Sequence, residues 1–198
     1  SENSIGGSFD FNYRTSLFDQ VSFSINQMLF YTRLNHPLIL SNNVLANGNY
    51  EFENANGFLD SKGFETNIKL RYQDLGLYCG YTFIDAIRHY NQTKSINPLT
   101  ATSRIYLTLT YEIEEKLRIG YECFYTGQQH LSNGEIKQAY WVMGISAEYK
   151  FEHFSVFANA ENFTDTRQTR FESIYTGTLQ SPQFKEIWAP TDGFIFNG

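Results

Sequence analysis

Apolar and polar residues alternate one by one along most of this chain, in runs of about ten residues. In one such run Ile105, Leu107 and Leu109 alternate with Arg104 and Thr108. Successive side chains of a β-strand point to opposite faces, so each run has one apolar and one polar face. Strands of this kind are typical of a transmembrane β-barrel, in which the apolar face meets lipid and the polar face lines a lumen.

The pattern predicts eight long strands and the beginning of a ninth. They are expected at about 9–14, 20–34, 63–73, 75–87, 102–113, 116–127, 137–151 and 154–162, with the ninth starting near 193. The connections alternate between tight turns and long polar loops, the latter at about 35–62, 88–101, 128–136 and 163–192. Outer-membrane barrels have short periplasmic turns and long outer loops. The sequence therefore predicts an all-β antiparallel meander that forms part of a larger transmembrane barrel.

Aromatic residues make up 17% of the chain and recur at the ends of the predicted strands. Such residues form girdles where a barrel crosses the two surfaces of a membrane. The strand directions predict a periplasmic girdle and an outer girdle. The periplasmic set is Tyr72, Tyr111, Tyr149, Phe151 and Phe154, and the outer set is Tyr31, Phe83, Tyr125 and Trp141.

Composition excludes several other classes of protein. The 198 residues suit one domain, and a net charge of −6 argues against binding to nucleic acid. Catalytic, cofactor and metal motifs are missing, so neither an enzyme nor a cofactor is expected. Cys79 and Cys123 fall on the apolar face of strands with another strand between them, which predicts two separate thiols rather than a disulfide.

The strand count predicts that the chain is one segment, 1–198, of a longer barrel. A closed single-chain bacterial barrel has an even number of strands, which places both ends on the same side. Here the first strand starts outside and the last one heads inward. Residues 1–8 are therefore expected to be the remainder of an outer loop.

Three segments resemble motifs of TonB-dependent outer-membrane receptors. Residues 61–65, Ser-Lys-Gly-Phe-Glu, resemble the start of a strand after a long loop. Residues 156–165 resemble the family's penultimate strand with its Asn and Asp, and residues 188–194 resemble the Pro-x-x-Gly-Arg start of the last strand. Phe194 stands where the family usually has Arg, so the third motif is degraded.

The resemblance implies a wall of 22 strands around an N-terminal plug, of which this chain would be roughly the last nine strands without the plug. Such receptors take up ferric siderophores, cobalamin or related nutrients across the bacterial outer membrane. The implied partners are membrane lipid, the plug of the same chain, TonB acting through the missing N-terminal part, and a small-molecule nutrient. Two alternatives are a small complete outer-membrane barrel, acting as an adhesin or lipid-binding protein, and a soluble lipid-binding barrel such as a lipocalin.

The outer loops contain candidate ligand contacts: His36, Tyr50, Phe52, His89, Tyr90, His130, Phe171 and Tyr175. The aromatic members could equally pack the loops together. The three histidines could converge on a metal or a metal chelate, although loop histidines are usually solvated and no metal site is predicted. The acidic loop residues could bind outer-leaflet lipid through divalent cations, or simply keep the loops solvated.

The alternation also assigns side chains to the two faces of the wall. The predicted lipid-facing residues are Ile105, Leu107, Leu109, Leu117, Ile119, Ile145 and Val156. The predicted lumen-facing residues are Glu65, Lys69, Arg71, Arg104, Arg118, Glu122 and Glu148. The charged set is interpreted first as a polar lumen with opposite charges paired across strands, and second as a contact surface for the plug.

Overall fold

The computed structural model describes residues 1–44 and 48–198. In this part of the chain β-strands predominate, with one helical turn, α1 (Gln168–Phe171). The strands are β1 (Asn3–Leu17), β2 (Val21–Asn35), β3 (Leu38–Val44), β4 (Tyr50–Asn54), β5 (Gly57–Tyr72), β6 (Leu75–Tyr90), β7 (Thr93–Ile96), β8 (Ser103–Ile113), β9 (Leu117–Thr126), β10 (Gln129–His130), β11 (Ile136–Lys137), β12 (Tyr140–Lys150), β13 (Ser155–Glu161), β14 (Tyr175–Thr178), β15 (Ser181–Phe184) and β16 (Ile195–Asn197).

Ten of these strands form one antiparallel sheet, and nine of them follow one another in the order β1-β2-β5-β6-β8-β9-β12-β13-β16. The short strand β7 pairs with the end of β6 nearest the long loops, which we call the upper end of the sheet. The other strands form three separate two-stranded pairs. The predicted all-β meander is confirmed. Because β1 and β16 lie at opposite edges of the sheet, the barrel is not closed within the described residues.

Tight and long connections alternate along this sheet, as predicted. The tight ones follow β1, β5, β8 and β12, and the long ones contain the three small strand pairs and α1. In two of the tight turns, consecutive non-glycine residues have left-handed backbones: Phe18 and Asp19 with φ of 53° and 56°, and Glu114 and Glu115 with φ of 49° and 55°. Two such residues in succession match the twist of a β-hairpin.

Several strands extend further toward the long loops than predicted. β1 begins at Asn3, whose partner is Asn35, so the expectation of an outer loop over residues 1–8 is wrong from Asn3 onward. β5 begins at Gly57 rather than near 63, and β6 continues to Tyr90. The apolar alternation stops earlier than the pairing, because the upper rows of these strands carry charged side chains. At the other extreme β12 begins at Tyr140, three residues later than predicted.

The register of the strands defines two faces. Cys79 lies opposite Leu107, and Leu107 lies opposite Cys123, so these three side chains share one row. We call the face that contains this row the apolar face, and the opposite one the polar face. Both cysteines are free, and the strand that carries Leu107 separates them, as predicted.

Buried residues are concentrated outside the sheet. On the apolar face Leu109 is 37% exposed, Ile145 47% and Val156 56%. By contrast, Trp188 and Ala189 in the last long loop are each only 5% exposed, and they pack with Leu131. Within the described residues, the apolar face is therefore without a cover, whereas the loops have a small core of their own. In residues 1–44 and 48–198 there is no helix with the length and hydropathy needed to cross a membrane.

Candidate functional site: the polar face and the outer loops

All seven residues predicted to face a lumen lie on the polar face. They come from β5, β8, β9 and β12, and the register aligns Glu148 with Arg118 and Glu122 with Thr108. The seven residues predicted to face lipid all lie on the apolar face. Two cavities, of about 770 and 570 Å³, lie mainly against polar-face side chains, which makes this the concave side of the sheet.

Near the middle of the polar face, tyrosine and amide side chains form a hydrogen-bonded network. The Tyr106 hydroxyl donates to Asn67 Oδ1 and lies 3.1 Å from the Tyr78 hydroxyl, while Asn67 Nδ2 donates to Glu65 at 2.7 Å. The Tyr106 ring lies over Gly80 on the polar face, where a Cβ would be 2.0 Å from the ring carbon Cζ. Gly80 therefore makes room for the ring, and the network fixes these side chains along the wall.

On the polar face of the described residues, the predicted pairing of opposite charges across strands occurs near the tight turns. Arg118 Nη2 lies 3.1 Å from Glu112 Oε1, on the neighbouring strand. Glu148 flanks Arg118 on its other side in the register. Both side chains of the Arg118–Glu112 pair are partly exposed to solvent, so the pair contributes little to stability.

Aromatic side chains gather at both ends of the apolar face. Near the long loops, the Tyr125 and Trp141 rings are 4.7 Å apart, and the Phe64 and Phe83 rings are 5.6 Å apart. Beside the tight turn after β12, Phe151 stacks on Phe154 at 4.6 Å. This is the arrangement that the girdle hypothesis requires.

Above the last aromatic row, the apolar face becomes charged. His89 stacks on Phe58 with a centroid distance of 4.4 Å, and its Nε2 lies 3.5 Å from Asp60. The Tyr31 hydroxyl donates to Asp60 at 2.9 Å, and the Arg33 guanidinium lies 3.5 Å from the centre of the Phe58 ring. The predicted contact residue His89 therefore belongs to a packed cluster on the outer side of the upper strands.

The other predicted contact histidines lie in different long loops. His36 has a left-handed backbone with φ of 50°, and its Nδ1 lies 3.3 Å from the carbonyl oxygen of Ala55. His130 is in β10, and its carbonyl oxygen accepts a hydrogen bond from the Leu99 amide at 2.8 Å. Among the described residues, no group of three or more His, Cys, Asp and Glu side chains could hold a metal ion.

The predicted aromatic contacts differ in exposure. Phe52 on β4 is 71% exposed and pairs with Leu40 on β3, so this hairpin presents an apolar face to its surroundings. Tyr50 on β4 and Tyr175 on β14 are exposed as well, whereas Tyr90 at the end of β6 is half-buried, with the Arg88 guanidinium 5.8 Å from its ring centre. Tyr50, Phe52 and Tyr175 are therefore available for contact.

Gln168 is the centre of the small core in the last long loop, and its side chain is fully buried. Its Oε1 accepts hydrogen bonds from the backbone amides of Trp188 at 2.9 Å and Ala189 at 3.4 Å. Its Nε2 donates to the carbonyl of Glu186 at 3.0 Å. Gln129 from the preceding long loop donates to the Trp188 carbonyl at 2.8 Å, so two loops are joined at this point.

A second set of contacts surrounds Glu172. Lys137 Nζ lies 2.8 Å from Glu172 Oε1, Lys185 Nζ lies 3.1 Å from Oε2, and the Trp188 indole donates to Oε1 at 2.5 Å. The hydrogen bond from Lys137, with help from the other two groups, lowers the pKa of Glu172 to about 2. The predicted contact residue Phe171 stacks on Trp188 at 5.4 Å, so it packs the loops together. We call Gln168, Glu172, Lys137, Lys185 and Trp188 the outer-loop cluster.

The two receptor-like segments at the end of the chain meet at the base of this loop. Asp165 Oδ1 accepts the Phe194 amide at 3.2 Å, and a Cβ on Gly193 would lie 2.0 Å from that oxygen. Asn162 Nδ2 donates to the carbonyls of Thr166 and Asp192. Asp165 is also paired with Arg170 and Arg167. The contacts of Asp165 and Asn162 therefore join the two segments.

The glycine of the first receptor-like segment, residues 61–65, allows a close approach of the neighbouring strand. A Cβ on Gly63 would lie 2.0 Å from the backbone oxygen of Phe83 and 2.8 Å from Phe30 Cζ. The adjacent strand approaches too closely for any larger residue at this position. The outer-loop cluster, by contrast, is not predicted from the sequence, because no sequence pattern indicates that a glutamine in a polar loop is buried.

A sequence model described as "TonB dependent receptor-like, beta-barrel" matches residues 7–163, which is more than half of the chain. The chain belongs to the TonB-dependent receptor β-barrels. This family assignment replaces the two alternatives of a small complete barrel and a soluble lipid-binding barrel. No curated protein sequence matches the chain.

Solved structures of TonB-dependent receptors share the fold of this barrel segment. It is similar to the FrpB iron transporter from Neisseria meningitidis, with a TM-score of 0.66, 15% identity, and coverage of 98% of this chain and 29% of that one. For the siderophore receptor PirA from Acinetobacter baumannii the TM-score is 0.64 and the identity 18%, and the match covers 84% of this chain and 28% of that one. For a mutant of the ferric enterobactin receptor PfeA from Pseudomonas aeruginosa the TM-score is 0.66 and the identity 13%, and the match covers 98% of this chain and 30% of that one. The chain thus spans less than a third of the length of these receptors.

Proposed function

We propose that residues 1–198 are one wall segment of an outer-membrane nutrient receptor in a Gram-negative bacterium. The receptor takes up a ferric siderophore, cobalamin or a similarly scarce nutrient, using energy delivered by TonB. The main support is a sheet with one apolar face, bounded by aromatic residues at both ends, and one concave charged face. The names of the similar structures, an iron transporter and two siderophore receptors, favour an iron chelate as the substrate.

In this proposal the apolar face meets membrane lipid and the polar face lines the lumen opposite the plug. A charge held at the middle of the bilayer costs about 2–4 kcal/mol on the lipid side of a barrel. Ion pairs and polar networks such as Arg118–Glu112 and Tyr106–Asn67 therefore belong on the lumen side. The lumen's function is to give a polar path for the nutrient, and no covalent chemistry is required of it.

The long loops form the outer, ligand-capturing side of the receptor. The outer-loop cluster joins parts of the last long loop to one another, and the hairpin β14–β15 in the same loop has Phe184 76% exposed. The hairpin β3–β4 presents Phe52 in the same exposed manner. We propose that Tyr50, Phe52 and Tyr175 contact the nutrient, and that Phe171 acts through the packing of the cluster.

Uptake by the full-length receptor tests this function. Cells that lack the parent gene would be supplied with the wild-type receptor or a variant without residues 175–184, and would be given radioactive iron bound to catecholate or hydroxamate siderophores, or labelled cobalamin. The deletion is expected to reduce uptake of one of these nutrients while the receptor still inserts, and inactivation of TonB is expected to abolish it. Equal uptake of every nutrient in cells with and without the receptor would contradict the proposal.

A further inference from the structure

The concave polar face has two regions of opposite charge. The larger cavity, beside β9, β12 and β13, is lined by the carboxylates of Glu122, Glu148, Glu161 and Asp192, with Arg118 as its one cation among the described residues. The smaller cavity, beside β1, β2 and β5, has three cations in its lining: Arg14, Lys69 and Arg71. Its lining contains no carboxylate within the described residues. We call this smaller cavity the basic pocket.

The three cations converge because of the register. Arg14 lies opposite Ser24, and Ser24 lies opposite Lys69, so these three side chains form one row across β1, β2 and β5. Arg71 is two residues from Lys69 on the same face and lies opposite Ser22. Adjacent strands are about 4.8 Å apart, so the backbones that carry the three cations lie within about 10 Å of one another. The Lys69 ammonium lies 5.0 Å from the centre of the Tyr78 ring, which also lines the pocket.

These cations have no counter-ion within the protein as described. In residues 1–44 and 48–198, Arg14, Lys69 and Arg71 take part in no ion pair, whereas Arg118, on the same face, pairs with Glu112. The two carboxylates on the polar face of β1 and β5 accept hydrogen bonds from amides and, in the part of the chain that the structure describes, form no ion pair with these cations. Asp10 accepts from Asn26 at 2.9 and 3.0 Å, and Glu65 accepts from Asn67 at 2.7 Å.

The other lining groups suit an anion as well. Ser22 and Ser24 contribute hydroxyl donors, and Asn12 and Asn26 contribute amides, in a cavity of about 570 Å³. Guanidinium groups bind carboxylates and phosphates with two parallel hydrogen bonds, and such charge-assisted bonds are about twice as strong as neutral ones. Three cations without an ion pair in the described residues, together with the hydroxyls on the strand β2 that separates Arg14 from Lys69 and Arg71, suit a multiply charged anion.

We propose that the basic pocket binds an anionic solute, a di- or tricarboxylate or a phosphate-bearing compound, in the half of the lumen nearest the tight turns. The pocket lies next to the turns after β1 and β5, at the end of the wall opposite the outer loops. Its position inside a lumen rests on the proposed function. An anion that has passed the outer loops would meet the pocket before it leaves the receptor.

Binding of two simple probes, citrate and inorganic pyrophosphate, to the purified full-length receptor in detergent tests this proposal by isothermal titration calorimetry. We expect both probes to bind the wild type, and to bind more weakly as salt is raised. Arg14→Gln and Arg71→Gln should each weaken binding about tenfold, and the double variant should abolish it. Lys150→Gln, an exposed cation on the same face but outside the pocket, is the matched control and should bind like the wild type.

Three results would overturn the proposal: no probe binding by the wild type, equal binding by the variants, or an equal loss in Lys150→Gln. If no probe binds and Arg71→Gln lowers the melting temperature, the pocket is occupied by an acidic group elsewhere in the receptor, and the proposal is wrong. Probe binding requires no transport. Failure of binding with normal nutrient uptake therefore refutes only this inference, and failure of uptake with normal binding refutes only the proposed function.

Discussion

The sheet and the outer-loop cluster are stabilised in opposite ways. In the sheet, the backbone register fixes every strand, while side chains such as Leu109 and Val156 stay exposed on the apolar face. In the cluster, regular structure is short, but Gln168 is fully buried and uses both ends of its amide in hydrogen bonds. The sheet therefore needs an apolar environment against its exposed face, whereas the cluster has a buried core of its own.

The strongest test of this contrast is a charge on the apolar face. Leu109→Arg in the full-length receptor should prevent assembly into the outer membrane, because an arginine near the middle of the bilayer costs about 2–4 kcal/mol. Thr108→Arg places the same side chain on the polar face of the same strand and should assemble normally. Fractionation of membranes and heat-modifiable migration on gels measure assembly. Equal assembly of both variants would show that the faces are wrongly assigned.

The second test removes the centre of the cluster. Gln168→Ala leaves the backbone amides of Trp188 and Ala189 without their acceptor, and an unsatisfied buried donor costs about 1–3 kcal/mol. Hydrogen exchange should become faster in residues 127–139 and 162–194, and stay unchanged in β8 and β9. Gln183→Ala on the exposed strand β15 is the control and should have little effect. Faster exchange throughout the sheet would mean that sheet and cluster are not independent.

The third test uses pH. Because the pKa of Glu172 is lowered from 4.5 to about 2, its ionised form stabilises the folded cluster at every pH above the value of the unfolded chain. This stabilisation should be lost as the pH falls from about 4.5 to about 2. The protection of backbone amides in residues 162–194 against hydrogen exchange should fall over that range. In Glu172→Gln the change should be absent, and an identical titration in both proteins would contradict the assignment.

The smallest expected effect is on an exposed ion pair at the top of the sheet. Lys62 Nζ lies 3.4 Å from Asp85, and the lysine side chain is 64% exposed. Exposed pairs contribute about 0–1 kcal/mol, so Lys62→Ala should leave the melting temperature of the receptor nearly unchanged. Lys137→Ala, which removes a buried partner of Glu172, should open the cluster measurably in the same hydrogen-exchange experiment. A larger effect from Lys62 would reverse the comparison.

The sequence predicted the middle of the wall better than either of its ends. Alternation in β8 and β9 was sufficient to place Leu107 and Arg118 on opposite faces, since the period of a strand is two residues. Toward the long loops the alternation fails, because Asp60, Lys62 and Asp85 follow the apolar rows on the same face, and the upper parts of β5 and β6 were missed.

The long loops show more clearly which contacts the sequence does not predict. The resemblance pointed to residues 156–165 and 188–194, and the structure brings them together through Asp165 and Gly193. Nothing in the sequence indicated that Gln168 would be buried, since its partners are backbone groups about twenty residues away. Contacts between a side chain and a distant backbone have no sequence pattern, which is why this part of the candidate site required coordinates.

The unequal lengths of the strands have a consequence for how a solute approaches. β2, β5 and β6 have 15, 16 and 16 residues, whereas β8, β9 and β12 have 11, 10 and 11. At about 3.3 Å per residue, the mouth is higher on one side by roughly 15 Å along the strands. At the long-loop end of the shorter strands, the loop between β9 and β12 is joined to the last long loop, where Gln129 donates to the Trp188 carbonyl. A molecule approaching the proposed receptor would thus meet the longer strands on one side and the joined loops on the other, so access to the lumen is asymmetric.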